Sequence, residues 1–393
     1  MHELSRPELL ITLVHGTWGR GFFPGRRREG RPPFWFEEGS SFLVRLSAGI
    51  ADIPHQIKPL LWSGANSIFE RDRTAQLLAE YLAAEHAERP LANQLIIAHS
   101  HGGNIALRAL HHLQMRNGSR SEGPDSAYPL VATLATPFVE IHRADFGSRP
   151  FYIRVALTMA MLFVSLILAM GLLFLVMWLV PALTARMPSD GGLVIGVYDI
   201  IVCLAVGGVG WRWIVRDRQK QVAALENVTR LGELASAKRL LVIRAIDDEA
   251  SLVLALGTIL NYATERLIEN LLYLFGALTI VTLFGYKWWP GVFSMWAYPL
   301  SLAGFIVFTL LLFGALMVSR MVHGRELAIS PMECQVNTQS TPDAADLSQI
   351  VTLVSRKYVK SLRHGIYQHE NCASAISDWV RAQLGAATSV QSR

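Results

Sequence analysis

Charge is scarce in this chain. Asp, Glu, Lys and Arg together make up 17% of the 393 residues, against about 25% in ordinary soluble domains, while hydrophobic residues reach 51%. So apolar a composition predicts a membrane component. The formal net charge of +5 is modest. The arginines gather beside apolar stretches and form no basic stripe with interleaved aromatics, so a nucleic-acid partner is not expected.

Cysteine is also rare. Cys203, Cys334 and Cys372 are odd in number and widely separated, which excludes a disulfide framework and zinc spacing and points to a reducing compartment. Twelve histidines are present, yet no HExxH or paired ligand spacing occurs. No Walker-type phosphate loop is found either, and Gly207-Gly208-Val209-Gly210 lies inside an apolar run, where small residues serve helix packing. Neither a metal nor a cofactor is expected. A signal peptide is not expected, because Leu9 to Val14 already reads as a first strand.

Long apolar runs are what the chain has in abundance. Four segments, about Val155 to Val180, Leu193 to Trp211, Leu271 to Trp289 and Val292 to Ser319, approach or exceed the ~20 residues that cross a bilayer. They form two pairs, so the pieces before, between and after them return to one side. Arg143, Arg149, Arg154, Arg212, Arg216, Arg218, Lys220, Arg266, Arg320 and Arg325 flank the runs on that side, against Arg186 and Lys287 on the other. This asymmetry predicts an integral protein of a cell membrane, the inner membrane of a bacterium, with its folded domain in the cytoplasm. Five parts follow: 1–150, a first hairpin at 151–216, a folded part at 217–266, a second hairpin at 267–320, and 321–393.

The first part alternates strand and helix. Strands are predicted near Leu9 to Val14, Ile57 to Trp62, Gln94 to Ala98 and Leu130 to Leu134, with helices near Ile68 to Glu88 and Asn104 to Arg116. That order predicts an α/β fold with a parallel sheet covered by helices on both faces. A further strand is expected at Leu240 to Arg244, a helix from Glu249 to Arg266, and an amphipathic helix from Cys372 to Leu384. Residues 26–40, with Pro32, Pro33, Phe34, Trp35 and Phe36, read as a long aromatic loop, either a lid or an ordered surface loop.

The chemistry centres on Leu95-Ile96-Ile97-Ala98-His99-Ser100-His101-Gly102-Gly103-Asn104. A buried strand runs into Ser100 and a helix follows at once, a turn so sharp that small residues are needed two places before and after the serine. Ala98 and Gly102 meet that need. The stretch resembles the nucleophile elbow of the α/β-hydrolase superfamily, the serine hydrolases that include lipases and esterases, with Ala98 in place of the usual first glycine.

The resemblance implies the remaining parts. The end of the first strand, His15-Gly16-Thr17-Trp18, corresponds to the loop that supplies one oxyanion-hole N–H, here that of Thr17, and the second donor is the N–H of His101. The superfamily orders its triad as serine, acid, histidine. Asp248, just beyond a strand, is the expected acid, with Asp247 the alternative; His364 is the expected base, with His369 its competitor. His15, Gly16, Trp18, Thr136 and Phe138 are expected to line the substrate pocket. Cleavage of a carboxylic ester through an acyl-enzyme follows, on a lipid or other amphiphilic acyl ester, with membrane lipids as the other partner. An acyltransferase would use the same residues, and a non-catalytic membrane scaffold would keep only the fold.

Overall fold

Strands form where Leu, Ile and Val run without polar interruption, and the sheet explains why none is needed. The computed structural model describes residues 8–19, 32–117, 128–143, 220–230, 239–245, 323–328, 334–342, 349–354 and 365–391, with isolated helical positions at 256, 257, 259, 267, 270, 311 and 314. Apart from Leu311 and Gly314, the four long apolar segments lie outside these residues, as does most of the expected helix 249–266. Among the described residues no helix is long and apolar enough to cross a membrane.

Six strands, β1 (Leu9–Val14), β2 (His55–Leu60), β3 (Asn93–His99), β4 (Leu130–Leu134), β6 (Leu240–Ala245) and β8 (Gln349–Leu353), form one sheet in the order β2-β1-β3-β4-β6-β8. Every neighbouring pair is parallel. The expected parallel α/β sheet is therefore present, and it draws strands from three separated parts of the chain.

Side chains alternate between two cores. Leu9, Ile11 and Leu13 of β1, Leu95 and Ile97 of β3, Leu130, Ala132 and Leu134 of β4, and Leu241 and Ile243 of β6 face one core; Val14, Ile96, Ala98, Val131, Leu240 and Val242 face the other. The first core is closed by α1 (Ser41–Gly49) and the C-terminal helix α5 (Glu370–Gln391), through Phe42, Leu46, Ile376 and Trp379. The second is closed by α2 (Ile68–Glu88) and α3 (His101–Asn117), through Ala75, Leu78, Ala79, Leu82, Ile105 and Ala109. Helices on both faces are why the central strands carry apolar residues at most positions, on both sides of the sheet.

A smaller layer sits beside the start of α2. Strand β5 (Phe138–Arg143) pairs antiparallel with β7 (Cys334–Gln339), and a short helix, α4, spans 220–229. Ile68, Val139, Ile141, Val222, Leu225, Leu327 and Val336 form its core. This antiparallel pair, α1 and β8 are absent from the sequence expectations.

Three elements differ from expectation by two residues or more. β2 lies two residues earlier than predicted and contains Pro59, which an edge strand tolerates because its outward N–H has no partner to lose. Trp62 leaves the strand instead, and its indole Nε1–H donates to the carbonyl of His15 at 2.8 Å. α3 begins three residues earlier than expected, at His101, because Gly102 and Gly103 serve close packing there and do not break the helix. α5 runs beyond the expected Cys372 to Leu384 at both ends.

Candidate functional site

The chain reverses its direction of growth across the sheet at β1. From β1 it crosses by α1 to β2 on one side, and from β2 by α2, on the opposite face, to β3 on the other side. Such a switch point leaves a crevice between the carboxyl ends of two adjacent strands, where open α/β sheets receive ligands. The loop after β1 carries His15 to Trp18, and the turn after β3 carries Ser100.

Ser100 sits at a backbone φ of 55°. The left-handed region costs a non-glycine residue about 1–3 kcal/mol and persists only where the surroundings impose it. Its N–H donates to the carbonyl of Leu134 at 2.8 Å, and its own carbonyl accepts from Gly103 N–H at 2.9 Å as α3 begins. Ala135, at the end of β4, repeats the device with φ 45° and its N–H on the carbonyl of Ile243 at 2.8 Å. Among the described non-glycine residues only Trp18 shares this conformation, at φ 55°. All three stand at the carboxyl end of the sheet.

Two glycines make the turn possible. A Cβ on Gly16 would stand 2.6 Å from Ser100 Cβ and 2.9 Å from the carbonyl oxygen of His99, and one on Gly102 would stand 2.5 Å from the carbonyl oxygen of Val14. The loop after β1 therefore lies directly against the serine. In that loop the N–H groups of Trp18 and Gly19 are committed, to Gly64 O at 2.9 Å and Gly16 O at 3.0 Å. That of Thr17 makes no hydrogen bond to a described residue. The first-turn N–H groups of α3 add the positive end of a helix dipole at the same place. An uncommitted N–H beside a helix start is an arrangement that can receive negative charge.

Aromatic side chains pack beneath the loop after β1. His15 is fully buried, with Nδ1 2.9 Å from the carbonyl of Gly16, and its ring stacks on Phe36 at 4.9 Å and Trp62 at 5.5 Å. Trp35 and Phe36 are 6% and 2% exposed. That part of the aromatic loop is built into the core, while residues 20–31 lie outside the described ones. Trp18 is half exposed at the rim. Thr136 is buried against the first turn of α3, where a Cβ on Gly103 would collide with it. Phe138 belongs to the core under α2 and α3.

The two histidines beside Ser100 point to different faces. The ring of His99 meets Trp35 at 5.9 Å and Tyr367 edge-on at 5.0 Å. Tyr367 lies three residues after His364, and Arg45 Nη2 ties down this segment by donating to the carbonyls of Tyr367 at 3.1 Å and Gln368 at 3.3 Å. Burial pushes the Tyr367 hydroxyl pKa up. His101 faces α2, with Nδ1 2.6 Å from Arg71 Nη1 and 3.4 Å from Asn104 Nδ2.

Asp247, Asp248 and His364 lie outside the described residues. Their flanks are described: β6 ends at Ala245, and the short helix Ile366–Gln368 begins just after His364. His369 is half-buried just before α5, where its Nδ1 accepts the N–H of Asn371 at 3.2 Å. Among the described residues no cluster of His, Cys, Asp and Glu is arranged to hold a metal ion.

Arg71 and Glu326 escaped the sequence reading. Arg71 interrupts the inward stripe Ile68, Ala75, Leu78 and Leu82 of α2, which is the signal that marks it. It is 6% exposed, and Nη2 donates to the carbonyl of His323 at 2.7 Å. Burial lowers its pKa to about 10, against an opposing pull from Glu326, so the guanidinium stays charged at neutral pH. Glu326 caps α2 from outside, accepting from Ser67 Oγ and, at 3.0 Å, from Ile68 N–H. A cleft between α2, α3, β5 and α4 is lined in part by Arg71 and does not have Ser100 in its wall. Its charged walls hold each other, Arg108 Nε donating to Asp72 at 2.8 Å. The chain matches no family model, and neither a curated protein nor a solved structure is significantly similar to it.

Proposed function

We propose that the chain is a membrane-anchored serine hydrolase of the α/β-hydrolase type, cleaving carboxylic esters through an acyl-enzyme on Ser100. The observation that carries this reading is the left-handed backbone of Ser100, held at φ 55° between β3 and α3 with Gly16 against it. Strain of this kind clusters at functional sites, and at a strand-to-helix turn it lifts the hydroxyl out of the sheet edge. The strand order supports the rest. β3, β6 and β8, the strands that precede Ser100, Asp248 and His364 in the sequence, lie in that order across one half of the sheet.

In the proposed cycle His364 accepts the proton of Ser100 Oγ as the oxygen attacks the ester carbonyl carbon, and Asp248 holds the imidazole. Negative charge moves to the carbonyl oxygen, which the N–H groups of Thr17 and His101 meet. Each such donor is worth about 3 kcal/mol in the transition state. Collapse breaks the bond to the alcohol, which leaves with the proton from His364. Water, deprotonated by His364, then attacks the acyl-enzyme and frees the acid and Ser100.

The stacked aromatic rings of His15, Phe36 and Trp62 beside the loop after β1 favour an apolar acyl group. The apolar runs at 155–180, 193–211, 271–289 and 292–319, with their arginine-rich flanks, favour a domain held at the cytoplasmic face of a membrane, where lipid or amphiphilic esters are at hand. A fluorophosphonate probe tests the reading: it is expected to label the wild-type protein and to leave Ser100→Ala unlabelled. A folded wild type that takes no label would sink it.

A further inference from the structure

We propose that Arg71 is a positioning residue of the oxyanion hole, a strut that ties His101 to the segment His323–Glu326 emerging from the last apolar run. The proposal rests on the hydrolase reading of Ser100 and assigns a role to a group outside the triad.

A guanidinium has donors only, so its contact at 2.6 Å makes His101 Nδ1 the acceptor and puts the ring proton on Nε2. The same arginine reaches the carbonyl of His323 at 2.7 Å, 252 residues away in sequence. Asn104, one turn along α3, points its amide at the same Nδ1 and gives its firmer bond, 2.8 Å, to the carbonyl of Pro137. His101 is thereby fixed from two helices, and with it the backbone N–H that follows the nucleophile.

The arrangement is costly by any purely structural measure. No carboxylate of a described residue lies within ion-pair distance of the Arg71 guanidinium, although the side chain is buried. A leucine or methionine would complete the apolar stripe of α2, and buried charge is often replaced by such residues without loss of stability. What a methionine lacks is the fork that holds two acceptors at a fixed separation. Oxyanion donors must be held to within about 0.5 Å, so a rigid link to His101 acts on rate more than on binding.

Glu326 belongs to the same strut. It binds the first turn of α2 through Ser67 and Ile68, and its charge attracts Arg71 one turn further on. Arg325 N–H adds a bond to the carbonyl of Asn66 at 3.1 Å. The position of His323–Glu326, which follow the apolar run at 292–319 in the sequence, is in this way transmitted to the residue after the nucleophile.

The test uses the full-length protein and hydrolysis of p-nitrophenyl butyrate. Arg71→Met is expected to lower kcat about 10- to 100-fold, with KM held within about twofold. Arg71→Lys keeps the charge without the fork and is expected to recover only part of kcat. Glu326→Gln is expected to lower kcat less, and the double variant Arg71→Met with Glu326→Gln to be no slower than Arg71→Met alone, as for two members of one path. An unchanged kcat in a folded Arg71→Met, a loss carried by KM, or additive effects of the two sites would overturn the proposal. If Arg71→Met does not fold, a wild-type kcat in Arg71→Lys does so. A wild type without Ser100-dependent hydrolysis overturns the hydrolase reading itself, and the strut with it.

Discussion

Gly16 and Ser100 are in contact across the crevice between β1 and β3: a Cβ on Gly16 would lie 2.6 Å from Ser100 Cβ and 3.1 Å from Ser100 Oγ. Both are held close to a fixed pairing, since all of β1 is paired with β3, from Leu9 opposite Asn93 to Val14 opposite Ala98.

Gly16→Ala is therefore expected to push the serine out of its turn. Overpacking of this sort costs about 1–3 kcal/mol of stability. The larger effect falls on chemistry, since the displaced hydroxyl and the neighbouring Thr17 N–H form one unit; a fall of about 100-fold or more in the rate of fluorophosphonate labelling is expected. Labelling at the wild-type rate by the alanine variant would show that the loop is free to move away.

Cys372 offers a test of the core closed by α5. Its thiol is buried among Phe42, Leu46 and Ile376, and burial pushes its pKa up to about 12. The thiolate is the reactive form, so in a Cys203→Ser, Cys334→Ser background a disulfide reagent at pH 8 is expected to titrate no thiol until the fold is opened by denaturant. Prompt modification of the native protein would mean that α5 does not cover the sheet as described.

The Lys58 and Glu85 pair joins edge strand β2 to α2 at 2.8 Å. The bond from Lys58 is the largest influence on Glu85 and holds its carboxyl below the usual carboxylate range. The same bond raises the Lys58 ammonium above its usual value. With the folded pKa of Glu85 depressed, its stabilising effect is present above the unfolded value near 4.5 and is lost as pH falls through the folded value. For Lys58 the sense reverses: the effect is present below 10.5 and is lost as pH rises past the raised folded value. Glu85→Gln should accordingly melt below wild type at pH 7 and close that gap as the pH falls below 4.5 and through the depressed folded value. A gap of constant size across the acid range would show that the carboxylate contributes nothing by its charge.

The strands and the elbow were legible because their signals are local. Leu9 to Val14, Leu95 to Ala98 and Leu240 to Ile243 are largely aliphatic runs, and Ala98, Ser100 and Gly102 announce a tight strand-to-helix turn within five positions. Helix α2 was readable to both ends, since Ser67 caps it and its stripe repeats with helical period. The antiparallel pair of β5 and β7 was not, because its strands stand almost 200 residues apart and neither alternates clearly.

By itself, then, the order of residues determined that a parallel α/β sheet would form and that Ser100 would stand at its turn, because side-chain periodicity and small-residue spacing act over a few positions. Which groups meet that serine was decided only in three dimensions. Gly16 against Ser100, Tyr367 against His99 and the Arg71 strut between His101 and His323 all join residues about 30 to 270 positions apart. No local preference encodes such contacts; they exist because closing two cores over one twisted sheet brings the carboxyl ends of its strands to a common edge.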